Sequence, residues 1–404
     1  MFDYIENDNE YKYDNIKMGY KEAEKMFKKT KSLQEALALG TVYDPMNDND
    51  NITTIDLWNQ SKELLSIPHY IGTYIIKDAL DRKQQIEIVL HILFDMLKSP
   101  NMTNLHSHHN DNEMIDIMNN IWINSNEYID NMKGYTNEYI DKSLVLSKIR
   151  WITLGYQYDW TNRSYKKEKY VPFPIKLAQL CTDLTASINN DTNYNLHPEA
   201  AIINFYQNGN IMGGHQDDVE STFDHPVLSI SIGCPCIFLL GGFNKEDDPL
   251  PILLRSGDVL FMGGPSRLRY HGVPKVFINE APPPFLQPSS LTLLGDKNIH
   301  YSTCSCFLDI NNTNDDTNDN INDDNNDDNN DNSNDNNNLD KDDNVLPRKR
   351  MKIDNITKSS SSSSSSSSSK YKVCTCGNVP RIEILRALKY LQITRLNLNV
   401  RQVF

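Results

Sequence analysis

Residues Asn204 to Glu220 read NFYQNGNIMGGHQDDVE, an apolar-to-turn transition that ends in a histidine and a carboxylate two positions apart, His215 and Asp217. Strand side chains repeat every two residues, so a His-x-Asp at a strand end puts imidazole and carboxylate on the same side of the backbone. The glycine pair Gly213–Gly214 immediately before them marks a turn. Outward from this stretch, from Ile149 to Cys306, short runs rich in Ile, Val, Leu, Phe and Tyr alternate with Gly, Pro, Asn and Asp: PVLSISIG, CIFLLGG, GDVLFMGG, HGVPKVF. Many short strands separated by turn signals, without βαβ alternation, predict an antiparallel sandwich or barrel. The fold class expected is mainly β with flanking helices (α+β).

Before this region, DRKQQIEIVLHILFDMLKS carries Ile86, Ile88, Val89, Leu90, Ile92, Leu93, Met96 and Leu97 at near-helical spacing, which predicts a packed helix. YKEAEKMFKKTKSLQEALALG predicts a helix stopped at Gly40. Residues 1–70 mix charge with small apolar patches and are expected to form a partly helical appendage. The histidine-rich tract LHSHHNDN, Leu105 to Asn112, lacks any periodic pattern and reads as a loop rather than a metal site.

The formal net charge of −14 argues against a nucleic-acid partner until its distribution is seen. Asn311 to Asn344 holds twelve aspartates against one lysine, so the rest of the chain is nearly neutral. This Asn/Asp segment, the basic LPRKRMK (Leu346–Lys352) and the serine run Ser359–Ser369 cannot bury enough apolar surface to offset chain entropy. Residues 310–373 are therefore expected to be a disordered insert. Its cluster Arg348, Lys349, Arg350, Lys352 reads either as a nuclear import signal or as a chance basic run. No stretch approaches the roughly 20 apolar residues of a membrane span, and the acidic N-terminus has no secretory core, so the expected setting is intracellular, nucleus and/or cytoplasm. Seven cysteines, six of them in C-x-C pairs, fit free thiols on strands better than zinc ligands.

Beyond the insert the chain regains pattern. Thr394 to Phe404 alternates as a strand does, with Arg395, Asn397, Asn399 and Arg401 on one face, a face that in a terminal strand ordinarily meets solvent. A second histidine, His271 in SRLRYHGVPKV, lies on another predicted strand. Two histidines and one carboxylate on one face of a metal, with the opposite positions open, describe the facial triad of non-haem Fe(II) oxygenases. A zinc hydrolase on a similar barrel is the competing reading of the ligands alone.

The surrounding words extend this. NFYQNGNIMGGHQDDVE, PVLSISIGCPCIFLLGG, SGDVLFMGGPSRLRYHGVP and RLNLNVRQV resemble the AlkB family of Fe(II)- and 2-oxoglutarate-dependent dioxygenases. KIRWITLGYQYDW, YVPFP and VRQV are most similar to the branch of the first mammalian homologue. The resemblance implies a double-stranded β-helix (jelly-roll) core over 71–309 and 374–404, with His215, Asp217 and His271 as catalytic Fe(II) ligands. It implies that 2-oxoglutarate is bound by Arg395, Asn397 and Arg401 of an R-x-N-x-x-x-R motif together with the Asn204–Phe205–Tyr206 segment, Arg395 meeting the distal carboxylate. A guanidinium suits that task because it offers a planar, bidentate, charge-assisted fork. It implies oxidative demethylation of 1-methyladenine and 3-methylcytosine in DNA or RNA, with release of formaldehyde, succinate and CO2, and hence DNA alkylation repair by a monomer. Trp151, Tyr156, Tyr158 and Lys245 match positions that contact a flipped nucleotide. Such a base must leave the stack to reach a pocket of this kind. The bacterial pattern departs at Val219, where it places an acidic residue that reads the exocyclic amine, so the resemblance leaves the base open. A transfer-RNA demethylase and an inactive nucleic-acid-binding module are the alternatives. The stretch WTNRSYKKEKY, with Arg163, Lys166, Lys167 and Lys169, suits either a phosphate backbone or a solvated loop.

Overall fold

The computed structural model describes residues 18–107, 109, 113, 145–188, 195–207, 209–278, 280 and 387–404. The Asn/Asp- and Ser-rich segment, its basic cluster, Cys304, Cys306, Cys374, Cys376 and half of the histidine-rich tract lie outside them. Two short helices open the described chain, α1 (Tyr20–Lys29) and α2 (Leu33–Ala38). The single predicted helix is interrupted because Thr30 is extended and Ser32 restarts the turn as an N-cap, its side chain accepting from the Glu35 amide. Gly40 ends the second piece in the left-handed region, φ 71°, where a side chain would be strained. Strands β1 (Ile52–Leu57), β2 (Gln60–Ser66) and β3 (Thr73–Ile76) follow. Helix α3 (Arg82–His91) runs on into a π turn over Ile92–Met96. Its start is a capping box: the Asp81 carboxylate accepts from Gln84 N and the Gln84 side chain accepts from Asp81 N.

The β region then comprises β4 (Met102–Thr103), β5 (Trp151–Asp159), β6 (Ser164–Tyr170), helix α4 (Ile175–Ser187), and eight further strands. These are β7 (Ala200–Tyr206), β8 (Met212–His215), β9 (Val227–Gly233), β10 (Cys236–Leu240), β11 (Leu250–Leu254), β12 (Val259–Met262), β13 (His271–Val276) and β14 (Arg395–Arg401). They divide between two antiparallel sheets. The larger has the order β1-β2-β3-β12-β9-β14-β7-β5-β4, with β6 beside β5; the smaller is β11-β10-β13-β8. The chain crosses from one sheet to the other at β7–β8, β8–β9 and β9–β10, and again at β11–β12, β12–β13 and between β13 and β14, which is the winding of a double-stranded β-helix.

Strand alternation gives the large sheet two different faces. Outward, Ile203, Phe205, Ile230, Ile232, Val259, Phe261, Leu396 and Leu398 pack with Ile88, Val89 and Ile92 of the α3 region and Leu177, Leu180 and Leu184 of α4. Inward, Leu65, Ile75, Leu260, Met262 and Tyr206 meet Cys236, Phe238, Ile252 and Val273 across the sandwich. The outer face of the small sheet is covered by the N-terminal helices, where Tyr20, Ala23, Phe27 and Ala36 bury Ile237, Leu239, Leu253 and Phe277. The expected appendage is thus part of the packing from Tyr20 onward, because β1 and β2 extend the large sheet and α1–α2 close the small one. Cys234 and Cys236 flank Pro235 between β9 and β10 and are both buried as thiols within the inner cluster.

Phe205 is completely enclosed in the outer core. Its truncation, Phe205→Ala, is expected to cost about 3–5 kcal/mol in urea unfolding, while Tyr206→Phe, one residue on and facing inward, is expected to change stability by less than about 1 kcal/mol.

Candidate metal and 2-oxoglutarate site

His215 closes β8 and His271 opens β13, and the two are direct partners in the register of these antiparallel strands. Asp217 follows two residues after His215, just beyond the strand. Carbonyl oxygens only accept, so the contacts of His215 Nδ1 with Gly213 O (3.0 Å) and of His271 Nδ1 with Arg269 O (3.1 Å) place a proton on each Nδ1. Each Nε2 faces Asp217: His215 Nε2 is 3.8 Å from Oδ1 and His271 Nε2 is 3.8 Å from Oδ2. These distances are too long for hydrogen bonds and suit three atoms that share an ion. One ligand atom from each residue lies within 4.8 Å of the other two, the one such cluster of His, Cys, Asp and Glu among the described residues. Asp217 Oδ2 is buried and has no hydrogen-bond partner, which is costly unless a cation takes the lone pair. His271 and Asp217 are buried while the His215 side chain is 37% exposed, so the cluster opens to one side.

Burial on its own would raise the Asp217 carboxyl, but the Arg401 guanidinium above all, then His271, His215 and Arg267, hold it well below the usual carboxylate range. Burial first, and the neighbouring His215 second, push His271 down to about 4. At neutral pH the cluster is one carboxylate and a neutral imidazole at His271, the ligand forms that bind a divalent ion without first losing a proton.

Two residues of this site carry no periodic or spacing signal and were not among the expected ones. Glu220 is wholly buried, with Oε1 2.8 Å from Arg401 Nη1 and Oε2 3.3 Å from Arg267 Nη2. Arg401 Nη1 also lies 3.1 Å from Asp217 Oδ1, and Arg267 Nη1 donates to the Asp217 backbone carbonyl at 2.8 Å. Two guanidiniums and two carboxylates therefore balance one another. Arg401 is the counter-ion of Asp217, and Glu220 and Arg267 keep it there.

Arg395 is different. It sits on β14 between β7 and β9, opposite Tyr206 on one side and Gly233 on the other, and is 1% exposed. Its Nη2 donates to Ser231 Oγ (2.7 Å) and Nη1 to Cys234 O (3.2 Å), while Nε has no partner. Among the described residues no carboxylate lies within ion-pair distance. A buried, unneutralised guanidinium costs several kcal/mol, a cost that an anionic ligand's carboxylate offsets. Next along the face, Asn397 lies opposite Asn204, itself opposite Trp151 on β5, and donates to Ser229 Oγ at 2.7 Å. A small cavity borders both Asn397 and the two histidines of the triad; Tyr206, Ser229, His215 and His271 line it. The polar face of the terminal strand thus points into the sandwich and not to solvent. Phe205 is the exception among the expected ligand contacts: alternation turns it outward into the helix-covered core, away from Asn204 and Tyr206.

The expected nucleotide contacts fall into two places. Trp151 stacks near Trp160 (4.8 Å between centroids), Trp160 meets Tyr158 edge-on (4.7 Å), and Tyr156 lies against Tyr170 and Phe404 (4.7 and 4.8 Å). They form two aromatic groups at the β5–β6 hairpin, the second completed by Phe404 from the C-terminal end. Val219, like Tyr156 and Tyr158, packs against the small cluster of Tyr165, Ala200 and Val403, so the position of the bacterial acidic reader is apolar here. Lys167 lies over the Phe404 ring, and Lys166 and Lys169 are exposed on the same hairpin. Lys245 belongs to a separate loop: its Nζ is 5.4 Å from the Tyr270 ring centroid and its carbonyl accepts from Tyr20 N.

Comparison with known proteins agrees with this geometry. The model of the 2OG-Fe(II) oxygenase superfamily matches residues 72–284. The chain is 32% identical over 288 residues to an Arabidopsis thaliana protein named DNA N(6)-methyladenine demethylase ALKBH1A, covering 65% of this chain and 82% of that one. It is also 32% identical to the Schizosaccharomyces pombe tRNA demethylase abh1, covering 60% and 81% of the two chains. Similarity to the human nucleic acid dioxygenase ALKBH1 is 33% over 52% of this chain and 54% of that relative.

The depressed His271 makes a pH prediction for the metal-free protein. As pH falls below 6.5 the unfolded chain takes up a proton at this residue, whereas the folded chain does so only near pH 4. The contribution is complete above pH 6.5 and is lost as pH drops toward 4, by about 3 kcal/mol at 1.36 kcal/mol per unit. Urea unfolding across this window is expected to be flatter with pH in His271→Gln than in the unaltered protein.

Proposed function

The chain belongs to the 2OG-Fe(II) oxygenase superfamily, in its AlkB branch, and from that premise we propose that it oxidatively demethylates alkylated nucleobases, 1-methyladenine and 3-methylcytosine, in DNA or RNA. The observation that carries this reading is the combination of a His-Asp-His triad with a buried arginine lacking a carboxylate partner, on the two sheets of one sandwich. The donor set fits the family's cofactors, Fe(II) and 2-oxoglutarate. His215, Asp217 and His271 would hold the metal, and Arg395 the distal carboxylate of the co-substrate. The chemistry supplied when both are bound with dioxygen is hydroxylation of an N-methyl group, with succinate and CO2 as co-products and formaldehyde released as the hydroxylated group leaves the base.

The protein's own residues set up that chemistry. Arg401, kept in place by Glu220 and Arg267, keeps Asp217 ionised and immobile. Tyr206 and Asn397 line the cavity beside the two histidines, and Arg395 faces Tyr206 in the strand register. Trp151, Tyr156 and Tyr158 offer ring faces on which an unstacked base can lie, and the exposed lysines of the β5–β6 hairpin suit the adjoining phosphates. A catalytic unit of residues 71–309 and 374–404, interrupted by the insert at 310–373 and acting as a monomer in nucleus or cytoplasm, completes the proposal. Among the described residues no helix is long and apolar enough to cross a membrane. DNA alkylation repair is the role this activity would serve.

Val219 favours a second reading of the substrate. An apolar side chain on the Tyr165–Ala200–Val403 cluster that Tyr156 and Tyr158 also pack against accepts no hydrogen bond from an exocyclic amine, so the base would be held by stacking and the strand around it. This supports a transfer-RNA 1-methyladenine substrate, and two relatives are named as a tRNA demethylase and a DNA N(6)-methyladenine demethylase.

The test is methyl loss by mass spectrometry from matched DNA and transfer-RNA oligonucleotides carrying 1-methyladenine, 3-methylcytosine or N6-methyladenine, with Fe(II), 2-oxoglutarate and ascorbate. Loss is expected in the unaltered protein and not in His215→Ala, with the preferred oligonucleotide ranking DNA against RNA. Arg395→Met is expected to weaken 2-oxoglutarate binding roughly 10- to 100-fold, the value of a charge-assisted bond. Succinate without methyl loss would redirect the search to other substrates; absence of succinate would replace the enzyme by a binding module.

A further inference from the structure

The glycines around the two histidines have a physical occupant. Tyr20, the first residue of α1, lies against the outer face of the small sheet where three adjacent strands lack a Cβ. A Cβ at Gly214 would come within 2.3 Å of the Tyr20 ring, at Gly241 within 2.7 Å, and at Gly272 within 2.8 Å of its hydroxyl. Gly214 precedes His215 and Gly272 follows His271. Because successive side chains in a strand point to opposite faces, a residue next to an inward-facing ligand faces outward. The Tyr20 ring therefore rests on the backbone directly behind both histidines.

Polar contacts lock the same spot. Glu24 Oε2 accepts from Gly214 N at 3.2 Å, Tyr20 Oη donates to Leu239 O at 3.3 Å, and Tyr20 N donates to Lys245 O at 3.0 Å. The need is evident in the strand itself. β8 has four residues, two of them glycines, lies at the edge of its sheet and has β13 as its single neighbour, in a register broken between His271 and Val273. Such a strand does not hold a side chain to a fraction of an ångström unaided, because glycine is conformationally permissive, and metal ligands require placement within about 0.5 Å.

We infer that Tyr20 and Glu24 are positioning residues for the metal centre, a back-plate through which the N-terminal helix sets the separation of His215 and His271. The inference rests on the triad being the metal site. A nearby pair serves as a control: Asp44 clamps Arg255 through two bonds of 2.6 and 2.7 Å, tying the same N-terminal wrap to the small sheet without touching a ligand strand.

The experiment is titration of the full, metal-free chain with Mn(II), read by the electron paramagnetic resonance of free ion, alongside the visible spectrum of the Co(II)-loaded protein and thermal melting of the metal-free form. Tyr20→Ala and Glu24→Ala are each expected to weaken Mn(II) binding roughly tenfold or more, the size of effects that residues behind metal ligands have, and to alter the Co(II) bands. Tyr20→Phe, which keeps the ring on Gly214 and Gly241 but loses the hydroxyl's contacts with Gly272 and Leu239 O, is expected to lose much less affinity than Tyr20→Ala and to keep the spectrum close to that of the unaltered protein. Asp44→Asn is expected to lower the melting temperature and leave Mn(II) affinity unchanged. Unaltered affinity in Tyr20→Ala and Glu24→Ala, or an equal loss in Asp44→Asn, overturns the inference; if Tyr20→Ala does not fold, Glu24→Ala and Tyr20→Phe decide it. Failure of the unaltered protein to bind Mn(II) more tightly than His215→Ala does would instead reject the triad as the metal site, and the back-plate with it.

Discussion

A strand bearing two buried guanidiniums in the centre of a sheet is the constraint on which this structure turns. β14 is hydrogen-bonded along its length to β7 and to β9, with Leu396, Leu398 and Val400 in the apolar outer core and Arg395, Asn397 and Arg401 turned into the sandwich. Burying two cations is unfavourable unless each finds a negative partner. The surrounding elements can be understood as supplying those partners. Ser231, Ser229 and the Cys234 carbonyl on the β9 side satisfy part of the hydrogen-bonding capacity, and the remainder divides the interior into two functional ends.

At one end charge is balanced within the chain. Arg401 meets Asp217 and Glu220, and Arg267 closes the set from the segment that leads into His271. The balance leaves Asp217 ionised with one oxygen still unpartnered, which is what a metal ligand needs and what a purely structural salt bridge would have consumed. At the other end Arg395 lacks a carboxylate, so balance there waits on a ligand. The same strand thereby links the two: an anion bound at Arg395 and a cation bound at the triad compensate each other across a low-dielectric interior, and each is expected to favour the other's binding.

How much of this was legible follows from the range of the signals. Alternation over Thr394–Phe404 is local and strong, so the shared face of Arg395, Asn397 and Arg401 could be read directly, as could the same-side placement of His215 and Asp217. Whether that face met solvent or interior was not local. It depended on β14 lying between β7 and β9, and only the family resemblance supplied it. Phe205 shows the reverse case, since the period of two that turns Asn204 and Tyr206 inward turns Phe205 out to the helices. Glu220 and Arg267 were hidden because ion pairs have no sequence period: Glu220 and Arg401 are 181 positions apart. The N-terminal segment misled for a related reason. Its charged, short helices look peripheral, yet Tyr20, Ala23 and Phe27 form one apolar stripe that covers the small sheet.

That stripe also answers what the Gly213–Gly214 pair is for. A glycine before a ligand is ordinarily a weakness, because it frees the backbone where rigidity is wanted. Here its missing Cβ admits an aromatic ring to the back of the strand, and the ring, together with the Glu24 carboxylate on the Gly214 amide, returns the rigidity from outside the sheet. The ligand strands are consequently held from two directions: by β10 and the inner cluster within the sandwich, and by α1 behind it. A site assembled this way draws its precision from an element far away in sequence, so changes in the N-terminal helix reach His215 and His271 through packing alone.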